Sequence, residues 1–159
     1  MFFDPLNVTQ YTMFLYEMSR LIILNGCNEL SDKIYGILKM ISSADIFYGV
    51  DLPDIYFFDH PQGSVIGRAE YNDYFTFSQG CTVGNNKGVY PSFEEHVTLF
   101  SGAKILGNCH VGNHVIFSAN SYIIDMDIPS NSIVFGMGRD VVIKEISEKI
   151  FEELTCSMF

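Results

Sequence analysis

The stretch FFDHPQGSVIG, residues 57–67, sets Asp59 and His60 side by side between two phenylalanines and a Pro-Gln-Gly turn, in a chain with only four histidines. An imidazole that is largely neutral near pH 7 can take a proton from an attacking hydroxyl or amine and pass it to a leaving group. A polar pair at the edge of a core has the same composition, so these two residues by themselves leave both readings open. The cysteines Cys27, Cys81, Cys109 and Cys156 show no C-x-x-C spacing, which gives no metal site and points to reduced thiols in a cytoplasmic protein.

The formal net charge of −10 repels nucleic acid and anionic membrane through the electrostatic term that dominates such binding. Six of the nine basic residues, Arg68, Lys87, Lys104, Arg139, Lys144 and Lys149, follow His60, so an anionic small molecule can still find local cations there. With 48% apolar and 18% charged residues the chain is globular, and 159 residues suit one domain with a real core. It has no apolar run of 18 residues, and its opening MFFDPLNVTQ lacks the basic n-region of a secretory signal.

The elements that must position the Asp-His pair have two different periods. Over residues 8–44 the spacing predicts two helices. Phe14, Leu15, Met18, Leu21 and Ile22 form the buried face of the first, which Asn25-Gly26 stops. Ser31 is the expected N-cap of the second, with Ile34, Ile37, Leu38 and Ile41 buried. From about residue 50 the period is six: Phe93, Leu99, Ile105, Val111, Phe117 and Ile123 are evenly spaced, and the series is expected to run on through Pro129 to Phe135. Six residues turn an α-helix through about 600°, so no helix keeps such a series on one face. Small or apolar residues stand two positions earlier at Val97, Ala103, Cys109, Val115 and Ser121, and turn pairs such as Gly107-Asn108 and Gly112-Asn113 lie between. This is the hexapeptide repeat of a parallel β-helix, three short strands to a coil. Cys81 and Cys109 are then core residues, and His96, His110 and His114 face solvent or a subunit contact. Extra residues between Phe58 and Ile66, and between Val83 and Phe93, must leave the prism as loops. The expected organisation is a helical segment at 1–45, a β-helix at 46–143 and, in KEISEKIFEEL, a helix at 144–159 that caps the last coil.

SGAKILGNCHVGNHVIFSANSYIIDMDIP (101–129), DHPQGSVIG (59–67) and VDLP (50–53) together resemble the left-handed β-helix acyltransferases, most closely the serine O-acetyltransferases. The resemblance covers about residues 45–139. It implies a mainly β fold, a homotrimer with active sites between subunits, acetyl-CoA as acyl donor and no metal. His60 matches the family's general base, Asp51 the carboxylate that orients it, and Asp59 the acid that faces the acceptor. Gly84, Asn85, Ser101, Gly102, Ala103 and Ala119 match positions lining the CoA groove, with Lys104 and Arg139 as candidate phosphate partners. The sequence also departs from the family. Val89-Tyr90-Pro91 stands in place of Arg-His-Pro, one hexapeptide between Asp51 and His60 is absent, and Gly136-Met137-Gly138-Arg139 lacks the family's proline. With that arginine gone, Tyr90 becomes the candidate acceptor contact and serine is disfavoured. The reading is transfer of an acetyl group to a hydroxyl of a sugar, sugar nucleotide or amino acid. N-acetylation of an amino sugar, or a catalytically silent scaffold, is the alternative.

Overall fold

The computed structural model describes residues 3–155; Cys156 lies outside them. Two helices come first, α1 (Val8–Leu24) and α2 (Asn28–Ser42). The strands then follow coil by coil: β1 (Asp45–Ile46) and β2 (Tyr56–Phe58); β3 (Val65–Ile66), β4 (Glu70–Tyr71) and β5 (Phe75–Phe77). The third coil holds β6 (Thr82–Gly84), β7 (Ser92–Phe93) and β8 (Val97–Leu99), and the fourth β9 (Lys104–Leu106), β10 (His110–Val111) and β11 (Val115–Phe117). The last has β12 (Tyr122–Ile124) and β13 (Ser132–Phe135), followed by β14 (Val142–Glu145) and α3 (Glu148–Thr155). Each strand from β1 to β13 pairs in parallel with its counterpart one coil away, giving a prism of about five turns with three sheets. Sheet I is β1-β3-β6-β9-β12, sheet II is β4-β7-β10, and sheet III is β2-β5-β8-β11-β13 with β14 at its edge.

The six-residue anchors are the core. Ile46, Ile66, Val83, Ile105 and Ile123 stack inside sheet I, and Phe58, Phe77, Leu99 and Phe117 inside sheet III, all essentially without solvent exposure. A single coil has nothing to bury these side chains against. Stacking supplies the partner, and each buried Ile or Phe contributes about 1.5–3 kcal/mol of transfer free energy. The last coil departs from the expected series: Ile128 and Val134 point inward, at 2% and 0% exposure, in place of Pro129 and Phe135, the latter 37% exposed. The step from Ile123 is one residue short at this corner, as it is from Ile66 to Tyr71. Pairing of Phe117 with Val134 then sets the register, since a one-residue slip exchanges the two faces of a strand.

The helices bury only part of the faces the apolar spacing predicts: Leu15, Ile34 and Leu38 are covered as expected, but the faces are rotated. In α1 the covered residues are Thr12, Leu15, Tyr16 and Ser19, while Phe14, Met18 and Leu21 are exposed. In α2 they are Ser31, Ile34, Leu38 and Ser42, with Ile37 and Ile41 outward. Small polar residues decide this. Ser31 is no N-cap; it lies within α2, its hydroxyl donating to the Ser19 carbonyl of α1 at 3.0 Å. Tyr16 fixes α1 on the prism by donating to the Val50 carbonyl (2.8 Å) and accepting from the Leu52 amide (3.1 Å). At the other end, the stretch expected to cap the prism as one helix is divided. β14 pairs antiparallel with β13 and covers the sheet edge, so the 143/144 boundary falls inside a strand. Helix α3 instead presses Phe151 edge-on against the stacked rings of His96 and His114.

Candidate active site

His60 sits at the corner where the chain leaves sheet III for sheet I. Its backbone is left-handed, with φ of 52°, and its side chain is 75% exposed. The two extra residues between Phe58 and Ile66 make this corner wider than those below it and push the imidazole out of the ladder. Asp59 is tied to the prism by its amide, which donates to the Phe77 carbonyl at 2.8 Å, and its carboxylate lies 3.7 Å from His60 Nε2. The pair opens into a cleft of about 750 Å3 shared with Phe57, Gln62 and the first turns of α1.

Asp51 does not reach His60. Its carboxylate is ion-paired with Arg20 of α1, on the face where Val50 and Leu52 turn inward. The missing hexapeptide is the physical reason. Six residues are one third of a coil, so without them Asp51 lies on a different side of the prism from His60. The carboxylate available to His60 within the chain is that of Asp59.

Below His60 the same corner repeats in every coil. The amides of Gly80, Gly102 and Asn120 donate to the carbonyls of Gln62, Gln79 and Ser101, at 2.8–2.9 Å. Steps of about 4.8 Å make this a straight column with small side chains at Ser101, Gly102 and Ala119. Gly102 has φ of 74°, and a Cβ there would lie 2.4 Å from Asn120 Oδ1, so a larger residue meets a strained backbone and must displace the Asn120 side chain. Lys104 Nζ donates to the Gly102 carbonyl at 2.8 Å, and Arg139 lies exposed beyond Gly136 at the C-terminal end of the column. Ala103 does not line this groove: its side chain is fully buried, its N–H bonds Phe100 and its carbonyl accepts from Thr82. Inward and outward positions alternate along a strand, and the inward slot falls on Ala103.

Gly84, Asn85 and Tyr90 belong to another corner, between sheets I and II, where they line a cleft of about 300 Å3 with Asp45 and Arg68. The four extra residues form a hairpin there. Asn86 and Val89 exchange both backbone hydrogen bonds across Lys87-Gly88, which have φ of 51° and 83°, the type I′ pattern. Asn86 Nδ2 donates to Asp125 Oδ2 at 2.6 Å and anchors it. Sequence reasoning passed over Asp45. Burial raises its pKa, but Lys39 at 2.8 Å and the Tyr35 hydroxyl outweigh this and hold it below the ordinary aspartate value. The thiols of Cys81 and Cys109 are buried as expected, and burial pushes both pKa values up. His110 is exposed, with Ser92 Oγ 3.0 Å from its Nδ1. Among the described residues no group of three His, Cys, Asp or Glu converges on a metal position, and no helix is long and apolar enough to cross a membrane.

A hexapeptide solenoid carrying a histidine at an enlarged corner, above a column of small residues, defines the class: a parallel β-helix with its candidate site on an edge of the prism. No family model matches the chain. It is 32% identical over 145 residues to the serine acetyltransferase of Synechococcus elongatus, covering 88% of this chain and 56% of that protein. Among solved structures it resembles serine acetyltransferase from Vibrio cholerae (TM-score 0.79, 22% identity, 92% and 58% covered). It likewise resembles serine acetyltransferase in complex with coenzyme A from Brucella abortus (TM-score 0.77, 23% identity, 88% and 57% covered). The chain thus spans a little over half the length of the relatives it matches. It belongs to the hexapeptide-repeat, left-handed β-helix acyltransferase family.

Proposed function

We propose that the protein is an acetyl-CoA-dependent O-acetyltransferase acting on a small hydroxylated acceptor, with His60 as general base. The observation that carries this reading is the placement of His60. It stands outside the core, beside the Asp59 carboxylate at 3.7 Å, at the open head of the small-residue column. The small residues of the column fit an extended cofactor laid along the corner. Ser101, Gly102 and Ala119 would hold its arm, and Lys104 and Arg139 its phosphates.

Acetyl-CoA supplies an activated thioester carbonyl when bound. His60 takes the proton from the acceptor hydroxyl as its oxygen attacks, and returns that proton to the departing sulfur. Asp59 stabilises the imidazolium formed between these two events and orients the acceptor. Its hydrogen-bonded amide holds the carboxylate in place while it does so. Tyr90, on another corner of the same chain, reaches this acceptor from a neighbouring copy. The working form in this reading is a cytoplasmic homotrimer with sites between copies.

Serine belongs in the acceptor panel because the relatives are named for it, alongside sugars and sugar nucleotides because Val89-Tyr90-Pro91 lacks the family's cation. The test mixes protein, acetyl-CoA and that panel and follows free thiol. Acceptor-dependent thiol release supports the reading, and its absence with every acceptor overturns it.

A further inference from the structure

The corner between sheets I and II carries a feature that the transferase reading does not use. Arg68 lies two residues past the end of β3 and is exposed. It lines both the cleft of about 300 Å3 holding Asn85 and Tyr90 and a second, of about 340 Å3, holding Tyr90, Pro91 and Ser92. Tyr90 is shared by the two clefts in the same way.

Most cations of this chain are occupied. Arg20, Lys33, Lys39 and Lys149 are in ion pairs, Lys104 bonds a carbonyl, and Lys144 lies over the Phe135 ring. Among the described residues Arg68, Lys87 and Arg139 have no such partner. Two of these three belong to this one corner, Arg68 at its floor and Lys87 in the hairpin above. In a chain of net charge −10 an unpaired arginine beside acids is an unusual economy of charge. The acids lining the clefts do not neutralise it: Asp45 is held by Lys39 and Tyr35, and Glu70 makes no ion pair with it. The hairpin carrying Tyr90 is pre-shaped by its type I′ turn and its Asn86–Asp125 bond, so little ordering is needed to bind there.

We propose that Arg68, with Tyr90 lining the same two clefts, binds an anionic group of the acceptor, a carboxylate or a phosphate, and so selects acidic hydroxylated acceptors. A guanidinium offers a planar fork of donors that matches either anion with two parallel hydrogen bonds. This places the acceptor-binding cation on the strand side of the corner, while the hairpin supplies Tyr90 where the family has Arg-His-Pro. The proposal rests on the transferase reading for its link to His60. Arg68 and His60 flank β3 on two different corners of one chain, so one acceptor meets both only across a contact between copies.

The experiment uses the full chain, its Arg68→Gln and Arg68→Lys variants, and two matched acceptor pairs: L-serine against L-serinamide, and glucose 1-phosphate against methyl glucoside. For whichever anion is the natural one, the preference for the charged member is expected to fall roughly tenfold or more in Arg68→Gln. Arg68→Lys should restore part of it, since a point charge keeps attraction but loses the fork. The pair that responds tells carboxylate from phosphate. Equal preference in wild type and Arg68→Gln overturns the proposal. If wild type transfers to no acceptor, the transferase reading fails separately, and calorimetric titration of L-serine, glucose 1-phosphate and inorganic phosphate then decides. Binding that Arg68→Gln weakens supports the anion site, and binding that is absent or indifferent to Arg68 overturns it.

Discussion

Replacing His60 separates its proposed chemistry from its structural role, because the site is exposed yet conformationally demanding. The side chain is 75% exposed and its φ is 52°. Removing the ring therefore uncovers little apolar surface, and the cost comes from the backbone. Alanine in the left-handed region costs about 1–2 kcal/mol, whereas asparagine adopts it readily. In a domain of this size 1 kcal/mol moves Tm by about 2–4 °C. His60→Ala should accordingly melt about 2–8 °C below wild type, and His60→Asn within about 2 °C of it. Both lack the imidazole base, so both should lose about 10²- to 10⁴-fold in kcat for acetyl transfer. The assays are thermal melting by circular dichroism and thiol release with a saturating acceptor. Retention of wild-type turnover in the well-folded His60→Asn protein would refute the assignment of His60 as base.

Gly102→Ala introduces a Cβ 2.4 Å from Asn120 Oδ1 at a φ of 74°. It should lower stability by about 1–3 kcal/mol, read from the urea midpoint, and part of this should return in the Gly102→Ala, Asn120→Gly double variant. Val134→Asp should prevent folding while Phe135→Asp is tolerated, a contrast that checks the register of the last coil by soluble yield and melting. Asp45 has a folded pKa below its unfolded value, so its contribution is present above the ordinary aspartate range and is lost as pH falls through the depressed pKa. Acid titration of wild type should therefore show a loss of stability below about pH 4 that is smaller in Asp45→Asn; identical acid profiles would remove Asp45 as the cause.

The prism was legible in the amino-acid order because its rule is local. An apolar anchor every six residues, with a small residue two positions before it, is sufficient to name a solenoid, and Cys81 and Cys109 fell into place as core on that rule alone. The same rule marked the breaks, and both breaks, at 59–65 and 84–92, hold candidate functional residues. Helix faces were less legible, since the count of apolar residues ignored Ser19, Ser31 and Ser42, small polar residues that permit close helix approach.

Sequence by itself therefore determined the class of fold and the position of His60 outside the repeat, since both depend on spacing along the chain; the small residues beneath it were marked by the family resemblance. Tertiary structure decided which charges meet. Asp51 went to Arg20 instead of His60, because a missing third of a coil carries it to another side of the prism. Ala103 turned inward, and among the described residues Arg68 makes no ion pair and shares the lining of its clefts with Tyr90. Pairings of this kind are set by rotation around the prism and by the docking of α1. Neither quantity is written in the six-residue period, which follows the same inward rule on all three faces and so labels none of them.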